Sequence, residues 1–588
     1  MTQQQYRDLI DQYLTEEDKE NANKFDSYTK LRGFIADKYI KDWALNNIFT
    51  KDIREAHENA WFHVHDLADG IVPYCKGHDV TKLLTRGLKT QTVVAGPPQH
   101  LSSFFDQCVN LIAYNQQHWA GAMAIANINT LAAPFLRKDF GHLRDQFGNY
   151  PYEVYKAVKQ IIQSFIFNLN FPSRAGSQTP FTNVILNFRC PKNMRKEPVL
   201  NAGCEGTWGE YEKEARMILK AFNAVYSDGD AAGLPFTFPI PTLNLIEDTP
   251  FDDPLWFDIV ETTIKFGTWS FFNYIGSGIS PDSILSMCCR LQIDLSQIAP
   301  TGGRWAYAGE TGSIGVVTLN MAKLGYMSED REEFYERLDW LLDMARRALL
   351  MKGLFIESHK DRFIPFDVEY GTDLTRFFRT IGVVGLNEMC VNFLGKSLSQ
   401  SKDFVEEVLT YIREWTRQTQ MTTGVLWNLE MTPAEGSATR LAMVDKEIYP
   451  DIFAQGREGA WYYTSMLTPP SEIMGIFDRI LAEQDILKLF SGGTVHRIYL
   501  GEAKPDVYAT AKLIERIAKE TKTPYFDLAS IYSICSESGL YQRGNYPVCE
   551  KCGAEALVYD RIVGYYRPIK QANPGKVREM LDRARVSI

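Results

Sequence analysis

The sequence predicts a large α/β protein, and three observations carry this fold class. Long amphipathic segments alternate in the middle of the chain with short apolar runs that are rich in β-branched residues. The 588 residues are 45% hydrophobic and 23% charged, which is typical of a globular protein with a substantial core. No internal repeat or low-complexity tract interrupts this pattern.

The helical pattern is clearest in two segments of the middle of the chain. Apolar residues recur there at intervals of three and four, which places them on one face of a helix. The first set is Phe334, Leu338, Leu341, Leu342, Ala345 and Leu349, and the second is Val405, Val408, Leu409, Ile412 and Trp415. Residues 1–60 are polar and contain few glycines or prolines, so we expect short helices there.

The strand pattern consists of four short apolar runs. They cover residues 183–188, 242–246, 315–319 and 424–429. Such runs suit strands that are buried on both faces, and helices between them indicate an α/β body. The pattern alone leaves a closed barrel and an open sheet as alternatives.

The charge balance excludes some classes of partner. The chain has 63 basic and 73 acidic side chains, a net charge of −10, which argues against a protein that coats nucleic acid but allows a local basic pocket for phosphates. No apolar run reaches the ~18 residues of a membrane helix. The first residues lack a secretory signal. We therefore expect a cytoplasmic protein with no membrane or nucleic-acid partner.

Changes in residue composition along the sequence divide the chain into three parts. We expect an N-terminal helical segment over residues 1–60, a catalytic α/β body over 61–530 and a loop-built C-terminal module over 531–588. Proline, glycine, tyrosine and cysteine become dense in this last part. The ten cysteines of a chain this large are better interpreted as free thiols or metal ligands than as disulfides.

Gly564 stands between bulky residues in the stretch 561–568. A glycine in such a place often marks a turn that requires a positive φ. Glycine has a second property, because a radical on its Cα is delocalised by the flanking amide and carbonyl groups and no side chain obstructs access to it. The local sequence leaves both interpretations open.

Motifs distributed along the chain carry a resemblance to a known family. They are His63–Asp66 with Pro73–Cys75, Ser286–Arg290, Thr311–Asn320, Thr432–Glu435, Ser491–Thr494 and Arg561–Tyr565. In this order they resemble the anaerobic (class III, glycyl-radical) ribonucleoside-triphosphate reductases along nearly the whole length. The resemblance implies a ten-stranded α/β barrel with a C-terminal radical loop, and reduction of ribonucleoside triphosphates to deoxyribonucleotides.

The resemblance also implies roles for individual residues. Gly564 would hold the resting radical, and Cys289 would become the thiyl that abstracts a hydrogen atom from C3′ of the ribose. The adjacent Cys288 is the alternative thiyl. Cys75 would lie across the substrate, supply reducing equivalents and end in a disulfide with the radical cysteine, which requires their Cα atoms to be about 4.4–6.8 Å apart.

Two further positions bear on the reductant. Members of this family that oxidise formate resemble one another in an asparagine where this chain has Ser313. Glu430 comes at a strand end just before the candidate phosphate loop. A carboxylate there could serve as general acid/base when the 2′-hydroxyl leaves, although an exposed strand-end charge is the alternative. Both features favour a thioredoxin- or glutaredoxin-like partner over formate.

A loop rich in small residues follows the apolar run at 424–429. Such loops expose backbone N–H groups that can bind phosphate when a helix follows. The resemblance implies that this loop binds the substrate triphosphate, with contributions from Thr432, Ala434, Ser437 and Ala438.

Three cysteines near the C-terminus form a candidate zinc site. Cys549 and Cys552 are spaced as half of a zinc knuckle, and Cys535 lies upstream of them. Structural zinc takes four ligands. The family commonly has a second cysteine or histidine near Cys535, but this chain has none in the stretch Cys535–Ser538, so either another group completes the site or a stable zinc has been lost. We expect zinc, with an unidentified fourth ligand, to hold the loop that carries Gly564.

The resemblance implies several partners. They are a homodimer, dNTP or ATP effectors at an allosteric site, and a radical-SAM activase with a [4Fe–4S] cluster. We expect no N-terminal ATP-cone domain and no activity switch of that type. Two alternatives remain at this stage: another glycyl-radical lyase or dehydratase, and a catalytically silent nucleotide-binding homologue.

Overall fold

A computed structural model describes residues 8–15, 22–23, 26–174, 177–279, 284–287, 291–294, 310–501 and 504–588. The strands are β1 (Phe62–Val64), β2 (Cys75–His78), β3 (Leu88–Lys89), β4 (Val94–Ala95), β5 (Met123–Ile125), β6 (Thr182–Asn187), β7 (Ile240–Leu245), β8 (Ser270–Asn273), β9 (Ile284–Met287), β10 (Leu291–Asp294), β11 (Thr311–Asn320), β12 (Phe377–Val384), β13 (Trp427–Met431), β14 (His496–Tyr499), β15 (Tyr525–Ala529), β16 (Tyr532–Ile534), β17 (Tyr541–Arg543), β18 (Leu557–Arg561) and β19 (Tyr566–Pro568).

Helices separate most of these strands. They are α1 (Leu9–Thr15), α2 (Tyr28–Asn47), α3 (Lys51–Glu58), α4 (Val80–Arg86), α5 (Leu101–Asn115), α6 (Ile128–Phe140), α7 (Tyr152–Asn170), α8 (Glu212–Asp228), α9 (Pro254–Phe266), α10 (Met321–Met327), α11 (Arg331–Phe363), α12 (Pro365–Tyr370), α13 (Leu386–Leu394), α14 (Lys402–Thr423), α15 (Gly436–Ile448), α16 (Ile476–Leu487), α17 (Val507–Glu520) and α18 (Pro574–Asp582).

Ten strands form the central sheet in the order β13-β12-β11-β2-β5-β6-β7-β8-β15-β14, and β1 pairs with β11 beside this path. Strands β2, β5, β6, β7 and β8 are parallel to one another. Strands β11, β12 and β13 are also parallel, as are β14 and β15. The two halves meet through antiparallel pairs, β11 with β2 and β15 with β8.

Backbone contacts just before β14 close the sheet into a barrel. Glu430 of β13 forms a parallel bridge with Gly493, and the Met431 N–H donates to the Gly493 carbonyl at 3.0 Å. The Gly492 N–H donates to the Leu429 carbonyl at 2.7 Å. Closure removes both sheet edges. The predicted α/β class and ten-stranded barrel are confirmed.

The two amphipathic segments form helices whose apolar faces cover the barrel. The whole first set of predicted core residues is buried on α11, and Val405, Val408, Leu409 and Ile412 are buried on α14. Trp415 is half-buried. Parallel strands need such crossover connections, so the helices fall on the outside of the sheet.

Three of the four predicted strands lie within or beside observed strands β6, β7 and β11. The fourth starts later than predicted, because α14 runs to Thr423 and Gly424 ends it with φ of 70°. A glycine in this left-handed conformation is a common helix terminator. Strand β13 therefore begins only at Trp427.

The two ends of the chain carry their own elements. Residues of the N-terminal segment form α1, α2 and α3, of which α2 has 20 residues and is longer than expected. The C-terminal part contains a four-stranded sheet in the order β17-β16-β18-β19, followed by α18. The three-part domain division stays a prediction. Over the described ranges, no helix has both the length and the apolar character that a membrane span requires.

Candidate active site

One cavity of about 520 Å³ brings together residues from both ends of the chain. Its wall includes Cys75, Glu430 and Ser437 of the predicted site, and both neighbours of Gly564, which are Val563 and Tyr565. The volume falls within the range of small-molecule sites in proteins.

Cys75 is the first residue of β2 and lies at the antiparallel junction of the two barrel halves. It pairs with Ser313 of β11, and its side chain is 1% exposed. A thiol in this place can contact a ligand bound in the cavity while the barrel shields it from bulk water. Cys288 and Cys289 lie outside the described residues, so the pairing of Cys75 with Cys289 stays a prediction.

Gly564 lies in the loop of the β18–β19 hairpin. Arg561 pairs with Tyr566, and the Ile562 N–H donates to the Tyr565 carbonyl at 2.8 Å across the loop. Gly564 is buried, and it is not among the described glycines that have a positive φ. A turn that needs a positive φ therefore does not account for glycine at this position.

A buried ionic network holds the base of this loop against the barrel. Arg561 pairs with Asp527 of β15 at 2.5 Å, and Asp527 also pairs with Arg497 of β14 at 2.7 Å. Burial alone would raise the pKa of the Asp527 carboxyl, but the two guanidinium groups lower it to about 2. Arg583 donates to the Arg561 carbonyl at 2.8 Å and pairs with Asp560 at 3.0 Å. The sequence analysis missed this network, because its members lie in separate segments.

Tyr565 connects the loop to the start of α15. Its hydroxyl donates to Oε2 of Glu435 at 2.8 Å, and the Ala22 N–H donates to Oε1 of the same carboxylate at 2.9 Å. The Tyr565 ring packs against Phe181 and Phe238, with centroids 5.3 and 5.7 Å away. Glu435 and Tyr565 both fall inside the recognised motifs, yet nothing in the sequence indicates that they meet.

Glu430 lies near the end of β13, where its neighbour in β12 is Gly382. Its side chain is 5% exposed and lines the cavity, so it is not an exposed strand-end charge. Ser313 also lines the cavity, and its hydroxyl lies 2.9 Å from Oγ1 of Thr380. A carboxylate in this position can exchange a proton with a bound ligand.

The start of α15 faces the cavity. Ser437 lines the wall and is 4% exposed, and its Oγ has no hydrogen-bond partner among the described residues. The first N–H groups of a helix lack intrahelical acceptors and carry the positive end of the helix dipole. This end of the cavity therefore offers hydrogen-bond donors to an anion.

The other three residues predicted for this loop do not line the cavity. Thr432 is buried, and its Oγ1 lies 2.7 Å from Oγ1 of Thr318. Ala434 and Ala438 pack in a small apolar cluster that includes Tyr463. Their side chains shape the loop, whereas Glu435 and Gly436, which the sequence analysis did not select, form part of the wall.

Basic side chains from α2 contribute to the same cavity. Lys38 and Lys41 line it together with His65. Burial, and to a lesser degree the charge of Lys352, lowers the pKa of His65 to about 3. The His65 Nε2 lies 2.8 Å from Oγ1 of Thr318. The imidazole is therefore neutral near pH 7, and the lysines supply positive charge to this part of the wall.

Cys535, Cys549 and Cys552 converge in the C-terminal module. Their sulfur atoms lie within 4.8 Å of one another, as in a metal site with three thiolate ligands. The hydroxyl of Ser538 lies 3.3 Å from the Cys549 sulfur, and this hydrogen bond is the main cause that lowers the pKa of Cys549 to about 6. Convergent thiols with one low pKa fit a zinc ion.

Comparisons with known proteins agree with this arrangement. A family model described as anaerobic ribonucleoside-triphosphate reductase matches residues 20–585. The chain is 25% identical to the anaerobic ribonucleoside-triphosphate reductase of Haemophilus influenzae, over 98% of this chain and 85% of that protein. It shares its fold with an anaerobic ribonucleotide reductase (TM-score 0.80, 22% identity, 100% of this chain and 93% of that chain). It also shares the fold of the Thermotoga maritima anaerobic ribonucleotide reductase in complex with dATP and CTP (TM-score 0.76, 21% identity, 92% and 90%).

Proposed function

We propose, for a chain that belongs to the anaerobic ribonucleoside-triphosphate reductase family, that it reduces ribonucleoside triphosphates to 2′-deoxyribonucleoside triphosphates with a radical stored on Gly564. The observation that carries the proposal is that Cys75 and both neighbours of Gly564 line the same cavity. The match to the reductase family over residues 20–585 favours this function over a glycyl-radical lyase or a silent homologue.

The proposed reaction balances with residues of this chain. The Gly564 radical takes a hydrogen atom from the Cys289 thiol, and the resulting thiyl removes the hydrogen atom from C3′. The 2′-hydroxyl then leaves as water with a proton from Glu430. By the end of the cycle C3′ has regained its hydrogen atom, Glu430 its proton and Gly564 its radical. In sum, the Cys75 and Cys289 thiols lose two hydrogen atoms and form a disulfide, a C2′–H bond replaces the C2′–OH bond, and the 2′-oxygen leaves as water.

The disulfide must then be reduced before the next turnover. A thioredoxin- or glutaredoxin-like dithiol would do so by thiol–disulfide exchange and would itself become oxidised. Ser313 and Glu430 support this partner over formate, since Ser313 stands where formate-using relatives resemble one another in an asparagine. Both side chains line the cavity.

The triphosphate would bind at the end of the cavity formed by the start of α15. Ser437 offers a buried hydroxyl that no other described residue pairs with, and Lys38 and Lys41 offer positive charge. This grouping of a helix N-terminus with cations suits a triphosphate. The ribose would then lie deeper in the cavity, toward Cys75.

The three cysteines of the C-terminal module would hold a zinc ion. The hydroxyl of Ser538, 3.3 Å from the Cys549 sulfur, offers an oxygen donor beside this cluster. Bound zinc would crosslink the segments that precede β18 and so fix the hairpin that carries Gly564.

The remaining partners follow from the family and from the chemistry. Forming the radical removes a hydrogen atom from Cα of Gly564, so it needs an external hydrogen-atom acceptor, which the radical-SAM activase with its [4Fe–4S] cluster would supply. We further propose a homodimer in the cytoplasm whose base preference responds to dNTP or ATP effectors.

A product assay tests the proposed function. The activated enzyme, supplied with CTP under anaerobic conditions, should form dCTP with a redoxin system and not with formate. Cys75→Ser and Cys289→Ala should each abolish dCTP formation. Formation of dCTP by the Cys289→Ala enzyme would reassign the thiyl to Cys288, and failure of the wild-type enzyme with every donor would reject the reductase.

A further inference from the structure

Like Ser437, Gln116 lines the cavity and carries a buried polar side-chain atom that no other described residue pairs with. It follows helix α5, is 3% exposed and lines the cavity wall. Its Nε2 donates to Oγ of Ser173 at 3.0 Å, whereas its Oε1 has no partner in the part of the chain that the structure describes. Because the Ser173 hydroxyl can donate as well as accept, turning the amide over only changes which amide atom is unpaired.

The start of α15, where the triphosphate is proposed to bind, has a buried polar atom of the same kind. Among the buried side-chain N and O atoms without a partner in the described residues, the two whose residues line the cavity are Oε1 of Gln116 and Oγ of Ser437. Burying such an atom destabilises the ligand-free protein, and a bound ligand that pairs with it recovers that loss. Under the proposed function, the triphosphate pairs with the Ser437 hydroxyl. No ligand group has yet been assigned to Oε1 of Gln116.

The backbone places Gln116 on the Cys75 side of the cavity. The segment after Gln116 pairs with the segment that leads into β2, where the Ala120 N–H donates to the Pro73 carbonyl at 2.9 Å. The Gly121 N–H donates to the carbonyl of Tyr74, the residue before Cys75, at 2.6 Å. A neutral amide cannot balance phosphate charge, but its donor and acceptor suit a hydroxyl or the edge of a base.

We infer that Gln116 is a substrate-binding residue that hydrogen-bonds a neutral polar group of the nucleoside, either a ribose hydroxyl or the base edge. This inference rests on the proposed function, because it takes the ligand to be a ribonucleoside triphosphate. The test uses calorimetric binding of CTP and of inorganic tripolyphosphate to the full-length protein without radical activation.

The Gln116→Met variant removes both hydrogen-bonding groups and keeps the length of the side chain. It should weaken CTP binding about tenfold, leave tripolyphosphate binding unchanged and leave the Tm of the ligand-free protein unchanged or higher. The matched control is Gln107→Met in helix α5, which ends just before Gln116. Gln107 also has an Oε1 without a partner among the described residues, but it does not line the cavity. This control should bind both probes as the wild-type protein does.

Three outcomes separate the alternatives. Wild-type CTP affinity in Gln116→Met would overturn the inference and leave the proposed function intact. Equal weakening of both probes with a lower Tm would also overturn it, since that result describes a structural role. A wild-type protein that binds neither probe would reject the proposed function and the inference with it.

Discussion

The hydroxyl of Tyr565 donates a hydrogen bond of 2.8 Å to Oε2 of Glu435. Tyr565 directly follows Gly564, and Glu435 directly precedes helix α15. The contact therefore joins the proposed radical loop to the proposed phosphate site. It makes the position of one loop depend on the position of the other.

Removing this hydroxyl should loosen the loop. In Tyr565→Phe, amide hydrogen exchange of residues 562–565 should accelerate about tenfold, because a hydrogen bond to a charged acceptor is lost. Mass spectrometry on the unactivated protein measures this rate, and dCTP formation should fall in parallel.

Two further variants make the loop prediction specific. Glu435→Gln keeps an acceptor for Tyr565 and should retain most of the protection. Tyr541→Phe serves as the matched control, because Tyr541 belongs to the same module as Tyr565 but its hydroxyl donates to the Lys265 carbonyl of α9 instead of to Glu435. Equal acceleration of loop exchange in the Tyr541 variant would contradict a specific role for the Tyr565–Glu435 contact.

The carboxylate of Asp527 should contribute strongly to stability. Asp527→Asn leaves the buried Arg497 and Arg561 side chains without this counter-charge, so the free energy of unfolding should fall by about 3–5 kcal/mol in chemical denaturation. Glu414→Gln, which breaks an exposed pair with Arg417, should leave the free energy of unfolding nearly unchanged. Similar losses of unfolding free energy in the two variants would contradict the claim that the buried Asp527 pairs stabilise the protein more than an exposed pair does.

Stability should also fall in mild acid because of a buried histidine. Burial, and then the charge of Lys76, lowers the pKa of His78 to about 3, so the folded protein keeps this ring neutral while the unfolded chain takes up a proton below about pH 6.5. Between pH 7 and pH 5 this difference removes about 2 kcal/mol of stability. The stability lost between pH 7 and pH 5, measured by chemical denaturation, should be smaller by that amount in His78→Gln. The same pH dependence in the variant and the wild-type protein would show that the ring is protonated in the folded state.

The cysteine cluster should bind one zinc ion per chain. Cys549→Ser should lower the zinc content measured by mass spectrometry and lower the Tm, because metal binding stabilises the folded module. Cys204→Ser, at a half-buried thiol outside the cluster, should leave the zinc content unchanged. Ser538→Cys should slow zinc loss to a chelator, and unchanged kinetics would exclude position 538 as the fourth ligand.

The sequence predicted those features that periodicity and local motifs encode. The buried faces of α11 and α14 follow from spacing alone, and Glu430 and Ser437 lie on the cavity because one follows a predicted strand and the other stands near the start of a helix. Cys75 is selected only through the family resemblance, since the pattern predicts no strand at its position. The strand predicted over residues 424–429 shows where this reasoning fails. Gly424 ends α14 in a left-handed conformation, and β13 therefore begins only at Trp427.

Contacts between distant segments could not be predicted in the same way. Glu435 meets Tyr565, and Gln116 faces the cavity, only because barrel closure and strand register bring their segments together. The same holds for Asp527 between two arginines from different elements. Such pairs depend on tertiary geometry, which residue spacing does not specify.

Electron paramagnetic resonance after anaerobic activation tests the central claim most directly. A radical on Gly564 couples to its one remaining Cα hydrogen, so the wild-type protein should give a doublet that Gly564→Ala abolishes. Cys289→Ala should keep the doublet while losing dCTP formation. An unchanged signal in Gly564→Ala, or no organic radical in an activated protein that still forms dCTP, would contradict storage of the unpaired electron at this glycine.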